Sequence, residues 1–124
     1  MADQPTHYQS IRQMSDALRA KEISATELAD VHFKRIADLD GRIGSYLAIT
    51  PERAHEQAAA AQSSIDNGNA SPLTGVPMQL KDNLATRGVT TTCASLMLEN
   101  FVPPYDATVT SALANAGAVL LGKG

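Results

Sequence analysis

The chain has one cysteine, no block of like charge, no homopolymer tract and no apolar run of membrane-spanning length. The lone Cys93 excludes an internal disulfide and suits a reducing compartment, the cytoplasm by default with an organelle left open. Ten Lys and Arg against thirteen Asp and Glu give a net charge of −3, and no segment is basic, so direct binding to a nucleic-acid backbone is not expected. The opening residues MADQPTHYQS lack the basic-then-apolar pattern of a secretory leader, and a soluble chain with no membrane partner is expected. His7, His32 and His55 are far apart with no HExxH or CxxC beside them, which reads as surface imidazoles rather than a metal site.

What remains is ordinary globular composition, 44% hydrophobic and 19% charged over 124 residues, the size of one domain or part of one. Ser10 and Gln13 have the spacing of a capping box, and Ile11, Met14 and Leu18 then share a helical face, predicting a helix from about Ile11 to Lys21. Ser24 and Glu27 repeat the box ahead of Leu28, Ile36 and Leu39, predicting a second helix that Gly41 stops. Thr50 as cap and Pro51 at the first helical position open a third, with Ala54, Ala58, Ala61 and Ile65 on one face.

From Ala70 onward Pro72, Gly75 and Pro77 break the chain into short apolar runs. Met78 to Leu80 is predicted as a buried strand, Val89 to Thr92 is β-branched, and residues 101–105 (FVPPY) form an extended loop. Asp106 is predicted to cap a fourth helix that Gly117 ends, feeding the apolar run Ala118 to Leu121, which reads as a buried parallel strand next to Met78–Leu80. The expected fold class is therefore α/β. The expected layout is residues 1–69 as a helical region and residues 70–124 as the start of an α/β core.

The segment Gly75 to Asn83, GVPMQLKDN, ends a strand-like run in Lys81, Asp82 and Asn83. Holding a lysine neutral near pH 7 costs about 4 kcal/mol relative to a free one, and a neutral lysine is a usable general base. An ordinary lysine here would instead carry its charge past the strand end into water, with Asp82 and Asn83 forming a turn. The run Gly117 to Lys123, GAVLLGK, fits seven positions of a phosphate loop, but Gly124 stands where Ser or Thr belongs and the interior reads as a strand, so nucleotide binding is not expected there. Cys93, with no histidine near it in sequence, reads as a small buried thiol.

GVPMQLKDN followed by TRGVTTTCAS closely resembles the amidase signature family, and the likeness continues through LENFVPPYDATV and AGAVLLGK. Within the family these stretches, with SATELADVHFKRIADLDGRIGSYLAIT, are most similar to the A subunits of the glutamyl-tRNA(Gln) and aspartyl-tRNA(Asn) amidotransferases. The resemblance covers essentially the whole chain and implies an incomplete, amidase-signature-like α/β domain: amino-terminal helices packed on the beginning of a mixed, mostly parallel sheet. It implies a lysine, a bridging serine held by a cis peptide and a nucleophilic serine acting together, with Lys81 in the lysine's place, directed inward to lose its charge. Lys81 would take a proton from the bridging serine, which activates the nucleophile toward an amide carbonyl, and return a proton to the leaving ammonia.

The family's two serines lie downstream in a Gly- and Ser-rich segment, and none of Ser63, Ser64, Ser71, Ser95 or Ser111 has that context; each reads as a cap or loop hydroxyl. Gly124 stands where the family usually has threonine. The resemblance further implies glutamine as substrate and the amidotransferase B and C subunits as partners. A partner subunit would use ATP with magnesium and contact tRNA, so this chain would bind no cofactor of its own. The chain alone is expected to be inactive as an amidase and poorly soluble, with the Ala118–Leu121 strand left apolar and exposed. Two alternatives are a stand-alone amidase of small amides and a truncated module that only binds a partner.

Overall fold

A computed structural model describes residues 5–124. After a 3-10 turn at Thr6–Tyr8 come the helices α1 (Ile11–Arg19) and α2 (Ala25–Ile43), a two-residue strand β1 (Ala48–Ile49) and helix α3 (Pro51–Asp66). Strand β2 (Pro77–Leu80), a 3-10 turn at Leu96–Leu98, helix α4 (Thr108–Asn115) and strand β3 (Val119–Lys123) complete the order. The helices pack on a small mixed sheet.

Both expected capping boxes are present. The Ser10 hydroxyl accepts from the Gln13 N–H while the Gln13 side chain accepts from the Ser10 N–H, and Ser24 and Glu27 make the same reciprocal pair. Helix α1 buries Met14 and Leu18 but ends at Arg19, short of the expected Lys21, which adopts a left-handed φ of 57°. Helix α2 does not stop at Gly41. It continues to Ile43, and Gly44 caps it in the left-handed conformation with φ 67°, its N–H bonded to the Asp40 carbonyl. A glycine inside a helix costs only about 1 kcal/mol, so Gly41 is tolerated, whereas the left-handed cap is a position glycine fills without strain.

Ala54, Ala58, Ala61 and Ile65 form the buried face of α3, as their spacing predicts. Small side chains let that helix lie close to α2 and β3, and the cluster is completed by fully buried Leu18 and Leu28 with Val76, Val119 and Leu121. Burying a leucine contributes about 2–3 kcal/mol. Two expected side-chain caps are not formed. The Thr50 hydroxyl donates instead to the Leu120 carbonyl at 2.9 Å, and an Asp106 oxygen accepts from the Arg87 N–H at 2.7 Å, leaving Ala107 as the α4 cap without a side-chain bond. Both residues tie a helix start to a distant segment rather than to its own first turn.

Strand β3 lies in the middle of the sheet, in the order β1–β3–β2, parallel to β2 and antiparallel to β1. The expected neighbours therefore pair, with Pro77 opposite Val119 and Leu80 opposite Lys123, across an irregularity between Met78 and Gln79. Every residue of β3 is buried. The expectation of an exposed apolar Ala118–Leu121 strand is thus corrected: β1 and β2 cover its edges and α3 one face. The β-branched run Val89 to Thr92 is not a strand but part of a long loop, in which Thr91 and Thr92 direct their hydroxyls to local and charged partners.

Candidate functional site

The carboxyl ends of the parallel pair β2 and β3 meet at Leu80 and Lys123, the edge at which open α/β sheets place their ligands. Alternation along the chain sets the side chains there: Leu80 is buried, Lys81 exposed and Asp82 buried. The inward lysine expected at position 81 is therefore not found in this chain. Its backbone is nevertheless fixed on both sides. The Gly124 N–H bonds to the Leu80 carbonyl at 2.9 Å, the Asp82 N–H to the Gly124 carbonyl at 2.8 Å, and the Leu84 N–H to the Lys81 carbonyl at 3.0 Å.

The buried lysine is Lys123, the last residue of β3, at 0% exposure. Its ammonium donates to the Leu84 carbonyl at 2.9 Å and to the Thr91 hydroxyl at 3.0 Å, and stands 3.4 Å from Oδ1 of Asp82. Asp82 is itself 2% exposed. Its Oδ2 accepts from the Thr92 N–H at 2.9 Å and from the Thr92 hydroxyl, while Oδ1 faces the ammonium charge and has no hydrogen-bond partner among the described residues. Burial pulls the Lys123 ammonium below the ordinary lysine value, against the opposing pull of the Asp82 carboxylate. Burial raises the Asp82 carboxyl, but the two Thr92 donors and Lys123 together outweigh it and hold it below the usual carboxylate range.

Next to this pair the backbone is strained. Cys93 and Ala94 are consecutive non-glycine residues in the left-handed region, at φ 51° and 56°, a conformation that costs about 1–2 kcal/mol per residue. The Cys93 N–H bonds to the Asp82 carbonyl at 3.0 Å and the Ala94 N–H to the Thr92 hydroxyl at 3.1 Å, so the strained turn is anchored on Asp82 through both its backbone and its side chain. Cys93 is exposed, which corrects the reading of it as a buried thiol.

The remaining expected residues lie apart from this edge. Ser71 and Ser64 donate to backbone carbonyls of Ala116 and Ala60. His55 pairs with Asp30 at 2.7 Å, and the His32 ring bonds the Leu28 carbonyl at 2.8 Å. His7 and His32 line a cleft of about 270 Å³ with Tyr8, Arg35, Asp40 and Tyr46, which does not include Lys81. Among the described residues no three His, Cys, Asp or Glu side chains cluster as a metal site requires, and no peptide bond is cis. The sequence does not single out Lys123, because there it closes a phosphate-loop-like string. The signal that could have found it is its position, two residues after a continuous buried run and in register with Leu80.

The amidase family profile matches residues 27–124, and the chain belongs to the amidase family. Within that family it is 50% identical over 114 residues to the glutamyl-tRNA(Gln) amidotransferase A subunit of Dehalococcoides mccartyi strain CBDB1, covering 92% of this chain and 24% of the relative. The A subunit of the same enzyme from Moorella thermoacetica is 50% identical over 118 residues, 94% of this chain and again 24% of the relative. Among solved structures, native peptide amidase from Stenotrophomonas maltophilia superposes with a TM-score of 0.89 at 32% identity, over 96% of this chain and 25% of that one. The chain spans about a quarter of the length of the curated relatives it matches and corresponds to their amino-terminal portion.

Proposed function

We propose that this chain is the amino-terminal part of the glutaminase component of a tRNA-dependent amidotransferase, which hydrolyses glutamine and supplies ammonia for forming Gln-tRNA(Gln) or Asn-tRNA(Asn). The observation that carries the reading is the placement of Lys81. It projects from the carboxyl end of a parallel strand pair, on a backbone hydrogen-bonded before and after it, in a chain half-identical to amidotransferase A subunits. In this reading Lys81 is the proton relay. A bridging serine and a nucleophilic serine come from a later segment and close over the exposed face of Lys81, removing it from water and lowering the cost of its neutral form.

The B and C subunits of the amidotransferase are the proposed partners, and ATP with magnesium is used by a partner subunit rather than by this chain. The phosphate-loop-like run of this chain ends in strand β3, with its lysine wholly buried and bound to Leu84, Thr91 and Asp82. The proposed compartment is the cytoplasm. Among the described residues no helix is long and apolar enough to cross a membrane.

The test is Lys81→Ala in the full-length protein assembled with its partners. Ammonia release from glutamine should fall by several powers of ten, as loss of one member of a catalytic triad does, with circular dichroism and co-purification of the partners unchanged. Turnover within tenfold of the parent refutes the relay role. A stand-alone amidase is the second reading, favoured by the likeness to peptide amidase. Faster hydrolysis of peptide amides than of glutamine, with no partner retained on purification, decides for it.

A further inference from the structure

The Lys81 side chain is exposed, and the 82–93 loop that follows it buries Asp82, Thr86, Val89 and Thr91. Lys123 binds both ends of that loop, through the Leu84 carbonyl near its start and the Thr91 hydroxyl near its end. Asp82, the residue after Lys81, is clamped from the other side by Thr92 and carries the strained Cys93–Ala94 turn on its own carbonyl. A buried ion pair is a poor device for stability alone, since apolar residues of the same volume serve as well or better and the desolvation of two charges is costly. What such a pair can supply is direction, since its donors and acceptors are met in a defined arrangement of the loop.

We propose that Asp82 and Lys123, with the Thr91 and Thr92 hydroxyls, are positioning residues that aim Lys81 at its reaction partners. The inference rests on the reading of Lys81 as the proton relay. Catalytic groups displaced by about 1 Å lose on the order of a hundredfold in rate, so a loop released from its ion pair should cost turnover without costing substrate affinity.

The experiment measures glutamine hydrolysis by the full-length assembled protein carrying Asp82→Asn or Lys123→Met, each alone and in a Lys81→Ala background. The expected result is a fall in kcat of roughly 10- to 100-fold with KM within about twofold, and a change of less than about twofold in the residual rate once Lys81 is already alanine. Unchanged kcat in the single variants overturns the proposal. So does an equal loss in both backgrounds, which would mean that the pair only holds the fold. Parental activity in Lys81→Ala alone refutes the relay reading instead, so the two failures are separable. If Lys123→Met does not fold by circular dichroism, Thr91→Val and Thr92→Val carry the test, each removing one hydroxyl. The expected loss is then several-fold in kcat with the same dependence on Lys81, and no loss overturns the proposal.

Discussion

Replacing Gly117 with alanine should destabilise the chain, and replacing Gly41 should do the opposite. Gly117 follows the last turn of α4 at φ +84°, and a Cβ built there would lie 2.9 Å from the Thr74 hydroxyl, 3.0 Å from its Cα and 3.2 Å from its Cβ. Thr74 cannot step aside cheaply, because it is buried and its hydroxyl accepts from the Ser71 N–H at 2.8 Å, while the Gly117 carbonyl itself accepts from the Gly75 N–H at 2.8 Å. The left-handed backbone costs an alanine about 1–2 kcal/mol and the overpacking about 1–3 kcal/mol, so roughly 2–5 kcal/mol in all. For a chain of this size that lowers the melting temperature by roughly 8–20 °C. Gly41 lies inside α2 with nothing within 4 Å of a built Cβ, so alanine there removes only glycine's unfolded-state freedom and adds about 0.5–1 kcal/mol of stability. Thermal denaturation followed at 222 nm separates the two signs. A Gly117→Ala variant within about 2 °C of the parent, or a Gly41→Ala variant that falls like it, would refute the reasoning.

The Asp82 carboxyl is held below its ordinary value of 3.8, so the unfolded chain binds more protons than the folded one in that window and stability rises with pH there. Its contribution is complete above the ordinary value and is lost as pH falls through the folded value; urea midpoints measured between about pH 5 and 2 should therefore decline less steeply in Asp82→Asn, and parallel curves would contradict this. Cys93 should react stoichiometrically with a disulfide-exchange reagent in native buffer because it is exposed, and a requirement for denaturant would return it to the core.

Local signals in the sequence are strong where one short stretch decides the structure. Reciprocal boxes at Ser10–Gln13 and Ser24–Glu27 mark their helix starts, the alanine spacing marks the face of α3, and the segments 78–80 and 118–121 do pair in parallel, although of the first only Leu80 is buried. What is not legible there depends on residues far apart in the chain. Strand β1 is two residues long and is held by its pairing with β3, flanked by the Leu47 and Thr50 N–H bonds to the Lys123 and Leu121 carbonyls. Thr50 and Asp106 read as caps because capping is the nearest use for such side chains, and tertiary partners take precedence over it. At the candidate site, position 81 is readable from the motif, but which lysine is buried is not, since that follows from strand register and from the Asp82, Thr91 and Thr92 side chains converging on Lys123.

The central place of β3 also sets an order of events. Its two neighbours do not touch each other, and both precede it in the chain, so neither has a partner until residues 119–123 have been synthesised. Closing the contact between Thr50 and Leu120, 70 positions apart, carries roughly 4 kcal/mol of chain entropy, which the short β1 cannot offset until α3 has already docked. During vectorial synthesis the helices can form as they emerge, whereas the three strands can pair only once residues 119–123 are available. Changes within β3 should therefore slow that step for the whole sheet, while changes in α1 or α2 should act mainly after it, on the rate at which the finished structure comes apart.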